Sequence, residues 1–408
     1  MTRMKRLFIL LAALALCLPS RAQETIPVEV VPDPTDSLLS VWYISTRLKA
    51  YLPEEIPDSA RYTSNVPDSV FIQRLEKMNS YITLPFNETV KNYMILYSEK
   101  SREKMQHILG VSNYYMPIFE EVLDRYGLPL ELKYMTIIES AMNPLAKSRA
   151  GATGMWQFMY NTAKIYNLKI TSYVDERLDI EKAADAAARY LQDAYNTFGD
   201  WALAICSYNC GSGNVNKAIQ RSGGKRDFWS IYPYLPRETR GYVPAFVGAM
   251  YAMTYYKEYG LVPEPVALPH YTDTIMVNRN LHFKQISELT EIPVETLREL
   301  NPQYIHDIIP GNDGEYVLKI PYQYTNAFIS VEDTVYTHKA DSLLSAKVLT
   351  GIADGTIGEG GSIRYRIKSG DTLGAIARRY HVTVSNLKKW NNLKSDSIRA
   401  GRYLTIYQ

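Results

Sequence analysis

Glu139 is the residue whose surroundings point most directly to chemistry. It shares a helical stripe with Leu132, Met135 and Met142, inside the almost wholly apolar run 128–143, where Pro129 fits a first helical position. A carboxylate on such a stripe is costly to bury unless it is protonated, paired or functional. With Met135, Ile138 and Met142 nearby, desolvation raises its pKa and keeps it protonated near neutrality. That is the condition of a general acid, which hands a proton to a departing oxygen. The stripe alone leaves a local salt bridge, or a position at the stripe's edge, equally open.

Motifs further along the chain break the tie. Glu139-Ser140 leads through Asn143-Pro144 and Ser148 to Gly151-Ala152-Thr153-Gly154-Met155-Trp156-Gln157-Phe158-Met159. Then come Ser207-Tyr208-Asn209-Cys210-Gly211 and Glu238-Thr239-Arg240-Gly241-Tyr242-Val243-Pro244. Each short motif is weak by itself, whereas four in this order and spacing are specific. The set resembles the soluble-lytic-transglycosylase family, with its goose-lysozyme-like catalytic domain, over roughly residues 85–255. Among its branches it is most similar to the membrane-bound lytic transglycosylases that carry C-terminal LysM repeats.

The resemblance implies a mainly α, lysozyme-like catalytic domain that acts on peptidoglycan glycan strands with no cofactor and no metal. It implies that Glu139 protonates the leaving oxygen of the MurNAc-GlcNAc β-1,4 bond while the sugar gains oxocarbenium character. The substrate's own N-acetyl group then stabilises the cation, and the same Glu acts as base on the C6 hydroxyl, giving a 1,6-anhydromuramoyl end without water. By motif position, Ser148 bonds substrate or Glu139, and the Gln157 amide donates to and accepts from N-acetyl groups. Tyr208 and Asn209 line the cleft, and Tyr242 faces the acid. Each has an ordinary alternative: a helix cap for Gln157 and Asn209, core packing for Tyr208 and Tyr242. Ser207 stands where the family usually has Ala, and both are small. Asp175, Glu176 and Asp179 fit a loop-and-cap pattern, although any of them can orient water. A hydrolytic muramidase on the same fold is therefore the near alternative, and a non-catalytic wall-binding scaffold the distant one.

The elements that must position these groups are helical. Ile180, Ala184, Ala187, Leu191, Ala194 and Phe198 follow the 3.6-residue period behind Asp179 as N-cap, and Gly199-Asp200 separates that helix from another beginning at Trp201. The catalytic domain is expected over 85–260. Ahead of it, 1–22 reads as a signal peptide, with Arg3, Lys5 and Arg6 before an apolar run of about 12 residues and a small-x-small exit at Ser20-Arg21-Ala22. That run is short of the ~20 residues a spanning helix needs. Cys17 offers an outer-membrane lipid tether, against which stands the bulky Leu16 before it. Residues 23–84 form an N-terminal lead-in segment, of which 23 to about 69, rich in Pro, Asp and Ser, reads as extended or loosely packed, the pattern turning helical from about 70.

Beyond a proline-bearing linker, two units of about 45 residues repeat a β-α-α-β order, an economical sign of duplication. The overall expectation is thus a mainly α domain followed by small α+β (βααβ) modules. The second unit, 362–408, resembles a LysM domain through Lys368-Ser369-Gly370-Asp371-Thr372-Leu373 and Asn391-Asn392-Leu393, with Asp371 placed to cap the next helix. The resemblance implies that Gly370, Asp371, Thr372 and Leu373 line a groove for N-acetylglucosamine-containing glycan. The first unit, 272–321, lacks the glycine-aspartate turn, Arg279-Asn280-Leu281 standing in its place, and reads as a degenerate copy or spacer. Residues 322–361 are expected as linker, ending in five glycines within 351–361.

A formal charge of +2 gives no basic footprint for nucleic acid. Six histidines without ligand spacing disfavour a metal enzyme, and Cys206 and Cys210 read as small buried residues. Thirty-three tyrosines suit sugar stacking and ordinary cores alike. Export and a wall glycan substrate together place the protein in the periplasm.

Overall fold

The computed structural model describes residues 61–269, 271–353, 363–380 and 382–407. The expected signal peptide, Cys17 and the glycine-rich part of the linker lie outside these residues.

The helical domain opens with α1 (Asp68–Lys77) and α2 (Glu88–Ile95), the latter running into a π-helical turn at Leu96–Lys100. Phe71 and Leu75 of α1 are buried, so the lead-in from about residue 70 onward already contributes to the helical core, while 61–67 carries no helix or strand. The long α3 (Arg102–Arg125) inserts Met105, Ile108, Tyr115 and Phe119 into the centre. Then follow α4 (Met135–Ser140), α5 (Tyr160–Ile165), α6 (Ile180–Phe198), α7 (Trp201–Cys210) and α8 (Ser212–Arg221). The short α9 (Phe228–Ile231) and α10 (Arg237–Arg240) lead to α11 (Tyr242–Thr254).

Helix α11 reads apolar all round, which requires burial on every side, and ten of its residues from Tyr242 onward through Tyr251 are buried. Its Gly248 lets it lie against α2, where an added Cβ would fall 2.7 Å from the Tyr93 carbonyl carbon. The α6 stripe is as the period predicts: Ala184, Ala187, Leu191, Ala194 and Phe198 are buried, and Asp179 accepts from the N–H groups of Glu181 and Lys182.

The first small module pairs β1 (Thr272–Val277) with β4 (Tyr316–Pro321) antiparallel, Ile275 opposite Leu318. Between them come β2 (Asn280–His282), α12 (Phe283–Thr290), α13 (Val294–Leu300) and β3 (Ile308–Pro310), with β2 paired to β3. Part of the segment expected as linker belongs instead to this module: α14 (Thr325–Val335) sinks Phe328 and Val335 into its core, and α15 (Ala340–Leu343) and α16 (Ala346–Ala353) follow. A period-3.6 apolar pattern on a half-polar helix was too short to stand out from loop composition.

The C-terminal module, β5 (Ile363–Arg366), α17 (Leu373–Arg379), α18 (Val384–Trp390) and β6 (Tyr403–Ile406), has its own small core of Tyr365, Ile367, Ile376, Leu387 and Ile406. The two modules share a clasp. Asn391 donates to the carbonyls of Leu387 and Thr405 and accepts from Thr405 N–H, and Asn301 does the same with Leu297 and Lys319.

The first module is joined to the helical domain. Val174, from the segment between α5 and α6, belongs to the module's core and bridges Tyr304. Asp175 N–H donates to Gln303 O (2.9 Å), Ile305 N–H to Tyr173 O (2.8 Å), and Lys319 pairs with Glu181 at 2.6 Å.

Candidate active site

Glu139 stands at the end of α4, which is entered through a 3-10 turn at Leu130–Tyr134. The expected continuous helix over 128–143 is therefore two short elements, and Pro129 precedes the turn in a non-helical conformation. Ala141 and Met142 both adopt left-handed backbone, φ 53° and 60°, so Met142 leaves the stripe that periodicity gave it. Such positions cost about 1–3 kcal/mol each for residues with a side chain and persist only where surroundings hold them. Here Ala141 N–H bonds Ile137 O (2.9 Å), Met142 N–H bonds Thr136 O (3.1 Å), and Asn143 Oδ1 accepts from Leu145 N–H (2.9 Å).

The Tyr242 hydroxyl, at the first residue of α11, donates to Glu139 Oε1. Burial pushes the Glu139 carboxyl up to about 7, and the bond from Tyr242 holds it back from rising further. No second carboxylate among the described residues contributes to that shift. Tyr208 sits beside them, its hydroxyl donating to Trp156 O (2.8 Å) and its ring edge-on to Phe158 and Tyr190. Burial first, then the Glu139 charge, raise the Tyr208 and Tyr242 hydroxyls well above the ordinary phenol range, so both remain neutral.

The glycine-rich loop is fastened to α4 by Ser140, whose Oγ lies 3.1 Å from Thr136 O and 2.9 Å from Met155 O. Within the loop, Ser148 Oγ accepts from Ala152 N–H at 3.0 Å, so in this structure it shapes the turn and does not bond Glu139. Gln157, with φ 49°, donates its amide to Gly154 O (2.7 Å) and Ala146 O (3.2 Å), which leaves Oε1 as an open acceptor among the described residues. Gly154 is required on two counts: its φ is +84°, and a Cβ would stand 1.9 Å from Arg177 O. Asn209, exposed at the end of α7, accepts from Thr239 Oγ1 at 2.9 Å, and its amide N–H groups have no partner among the described residues.

The other carboxylates are engaged elsewhere. Asp175 takes a two-pronged pair from Arg177 (2.9 and 2.7 Å), Glu176 pairs with Lys182 at 2.5 Å, and Asp179 caps α6. Cys206 is buried and Cys210 half-buried, both as free thiols. Motif position placed Ser140 and Thr239 near the site without giving them a task, and Tyr190, whose hydroxyl holds Ser207 O at 2.7 Å, carried no signal.

In the C-terminal module the expected cap is corrected. Thr372, not Asp371, caps α17 by accepting from Ala375 N–H, while Asp371 accepts from the Tyr365 hydroxyl (2.6 Å) and Lys368 N–H (2.7 Å). Gly370 turns the chain at φ +88°. In the first module the corresponding place is occupied by β2, and Arg279 stacks 3.8 Å over the Tyr336 ring.

Three family profiles match this layout: Transglycosylase SLT domain over 116–230, Lytic transglycosylase MltD LysM-like domain over 271–337, and LysM domain over 365–406. Membrane-bound lytic murein transglycosylase D of Escherichia coli K12 is 29% identical over 323 residues, covering 76% of this chain and 69% of that protein. The chain thus carries a transglycosylase SLT domain followed by a LysM-like and a LysM module. The soluble lytic murein transglycosylase of the same organism is 36% identical to this transglycosylase over 136 residues, 31% of this chain and 21% of that protein. Cell wall-binding protein YocH of Bacillus subtilis is 43% identical over 67 residues, 16% of this chain and 22% of its own. Among solved structures, the 70 kDa soluble lytic transglycosylase of Escherichia coli aligns at 21% identity and a TM-score of 0.31, over 53% of this chain and 41% of that one. The match to the LysM-like profile ends at 337, beyond the 321 expected from sequence, in keeping with α14 as part of that module.

Proposed function

We propose that this transglycosylase cleaves the MurNAc-GlcNAc β-1,4 bond of peptidoglycan without water, using Glu139 as acid and then as base. Glu139 gives its proton to the glycosidic oxygen as the C1–O bond breaks. The resulting carboxylate takes the proton of the muramoyl C6 hydroxyl as O6 bonds to C1, which closes the 1,6-anhydro ring and restores the acid. The observation that carries this is the Glu139 carboxyl, pushed up to about 7 by burial with no second carboxylate acting on it. Hydrolases that use water ordinarily need a second carboxylate to activate it, and Asp175, Glu176 and Asp179 are each committed to a pair or a cap.

Around the acid, Tyr242 fixes the carboxyl's orientation, while Gln157 Oε1 and the Asn209 amide offer an acceptor and donors to N-acetyl groups. Tyr208 and Ser148 complete the cleft wall. The turn Gly370, Asp371, Thr372 and Leu373 holds glycan, keeping strands near the cleft by tethering. The site of action is the cell envelope, on its periplasmic side. Mass spectrometry of products released from purified peptidoglycan tests the mechanism. Anhydro-ended muropeptides, absent with Glu139→Gln, are expected; reducing ends would mean hydrolysis instead.

A further inference from the structure

A cavity of about 420 Å³ lies where the helical domain meets the first module, and Glu139 does not line it. One wall is the chain leaving α4, with Met142, Leu145 and Lys147; the other is α13, with Glu295, Arg298 and Glu299. Its size falls within the ~300–1,000 Å³ typical of small-ligand sites.

The charges on the two walls are unequally satisfied. Arg298 is held by Asp307 at 2.7 and 2.6 Å and lies 3.6 Å from Glu295. Asp175, which also lines the cavity, is taken up by Arg177. Glu299 has neither a hydrogen bond nor an ion pair among the described residues, and burial with Glu295 alongside pushes its carboxyl up to about 7. Lys147, exposed at the mouth, likewise has no ion pair among the described residues. An inner carboxyl from one domain and an outer ammonium from the other therefore face a partly apolar space. A simple anion would meet Glu299 and Glu295, and a simple cation would leave Lys147 unanswered. A zwitterionic head on an aliphatic chain answers both.

We propose that this cavity is a subsite for the free amino-acid end of a peptide branch on the wall glycan, its ammonium against Glu299 and its carboxylate against Lys147. The assignment rests on the peptidoglycan substrate proposed above. It makes the first module a substrate-reading part of the enzyme and not a spacer, since half of the subsite belongs to α13.

The test has two arms, both with the full-length chain. In the first, L-norleucine, hexylamine and hexanoate are titrated calorimetrically. Norleucine is expected to bind more tightly than either, at least fivefold more weakly to Glu299→Gln and to Lys147→Ala, and unchanged to Glu139→Gln. In the second, turnover is compared on peptidoglycan and on the same strands stripped of peptides by an amidase. KM is expected to be lower on peptide-bearing strands, and Glu299→Gln should raise that KM severalfold while leaving stripped strands and kcat unaffected. Norleucine binding without any preference for peptide-bearing strands assigns the cavity to free amino acids and overturns the peptide-branch proposal. Equal binding of hexylamine and norleucine overturns the zwitterion. Absence of cleavage on both substrates would sink the enzymatic function instead, and the titration would still decide the cavity.

Discussion

On the proposed mechanism, a single proton on Glu139 governs both rate and stability. Its carboxyl sits at about 7 in the folded chain against an ordinary 4.5. As an acid it is lost when pH rises through about 7, so kcat/KM should fall on that alkaline side. The Tyr242 hydroxyl lowers this value; Tyr242→Phe should therefore move the alkaline limb to higher pH, which a pH–rate profile reads directly. For stability, a carboxyl raised on folding opposes the native state once the unfolded chain can ionise. The penalty grows from about pH 4.5 to about 7 and is full above that. Glu139→Gln removes it, so the variant should abolish lysis yet be more stable than the parent at pH 8, by about 3 kcal/mol, with the pH-dependent part of the difference gone at pH 4. A variant that is inactive and also less stable at pH 8 would mean that a buried cation compensates the carboxylate beyond its bond from Tyr242.

At the scale of elements, the site is a short helix stopped abruptly and a loop tied to it. The two left-handed residues after Ser140 turn the chain back so that the loop reaches Ser140 Oγ through Met155 O. Gly154 is the tightest point of that loop. Gly154→Ala must accommodate both an unfavourable φ and a Cβ 1.9 Å from Arg177 O, so the backbone has to move. A loss of about 2 kcal/mol or more in chemical denaturation is expected, with kcat falling at least tenfold because Gln157 bonds the Gly154 carbonyl. Melting unchanged within about 0.5 kcal/mol would show that the loop yields without cost.

At the scale of the molecule, the helical domain and the first module form one unit. Val174 of the former is 1% exposed within the latter's core, and backbone bonds at Asp175 and Ile305 run across the junction. One calorimetric transition is expected for this pair, and Val174→Asp should split it in two by burying a charge without a partner. The C-terminal module differs in having a core of its own. Removing 354–408 should leave cleavage of short soluble glycans intact while reducing retention on whole sacculi, as a pelleting assay would show.

Residue order and local chemistry were enough to single out the proposed acid, Glu139, and the tyrosines that the structure gathers beside it. Glu139, Tyr208 and Tyr242 sit in motifs whose order survives any packing detail, and the α6 period with its Asp179 cap needs only local physics. The paired βααβ plan was likewise legible from turn and strand chemistry repeated in order. Other features depended on contacts between residues far apart in the chain. The helix carrying Glu139 stops after Ser140 because the following backbone is held left-handed by bonds to Thr136 and Ile137, which no apolar period reports. Ser148 turns inward to Ala152, and Thr372 displaces Asp371 as cap, because geometry and not residue type selects among competent oxygens. The residues expected as linker fold as α14 because Phe328 and Val335 find a core supplied by strands and helices some 50 residues earlier. That the first module is docked, and shares a cavity with the loop after the helix of Glu139, is visible only in three dimensions, since it depends on which surfaces meet.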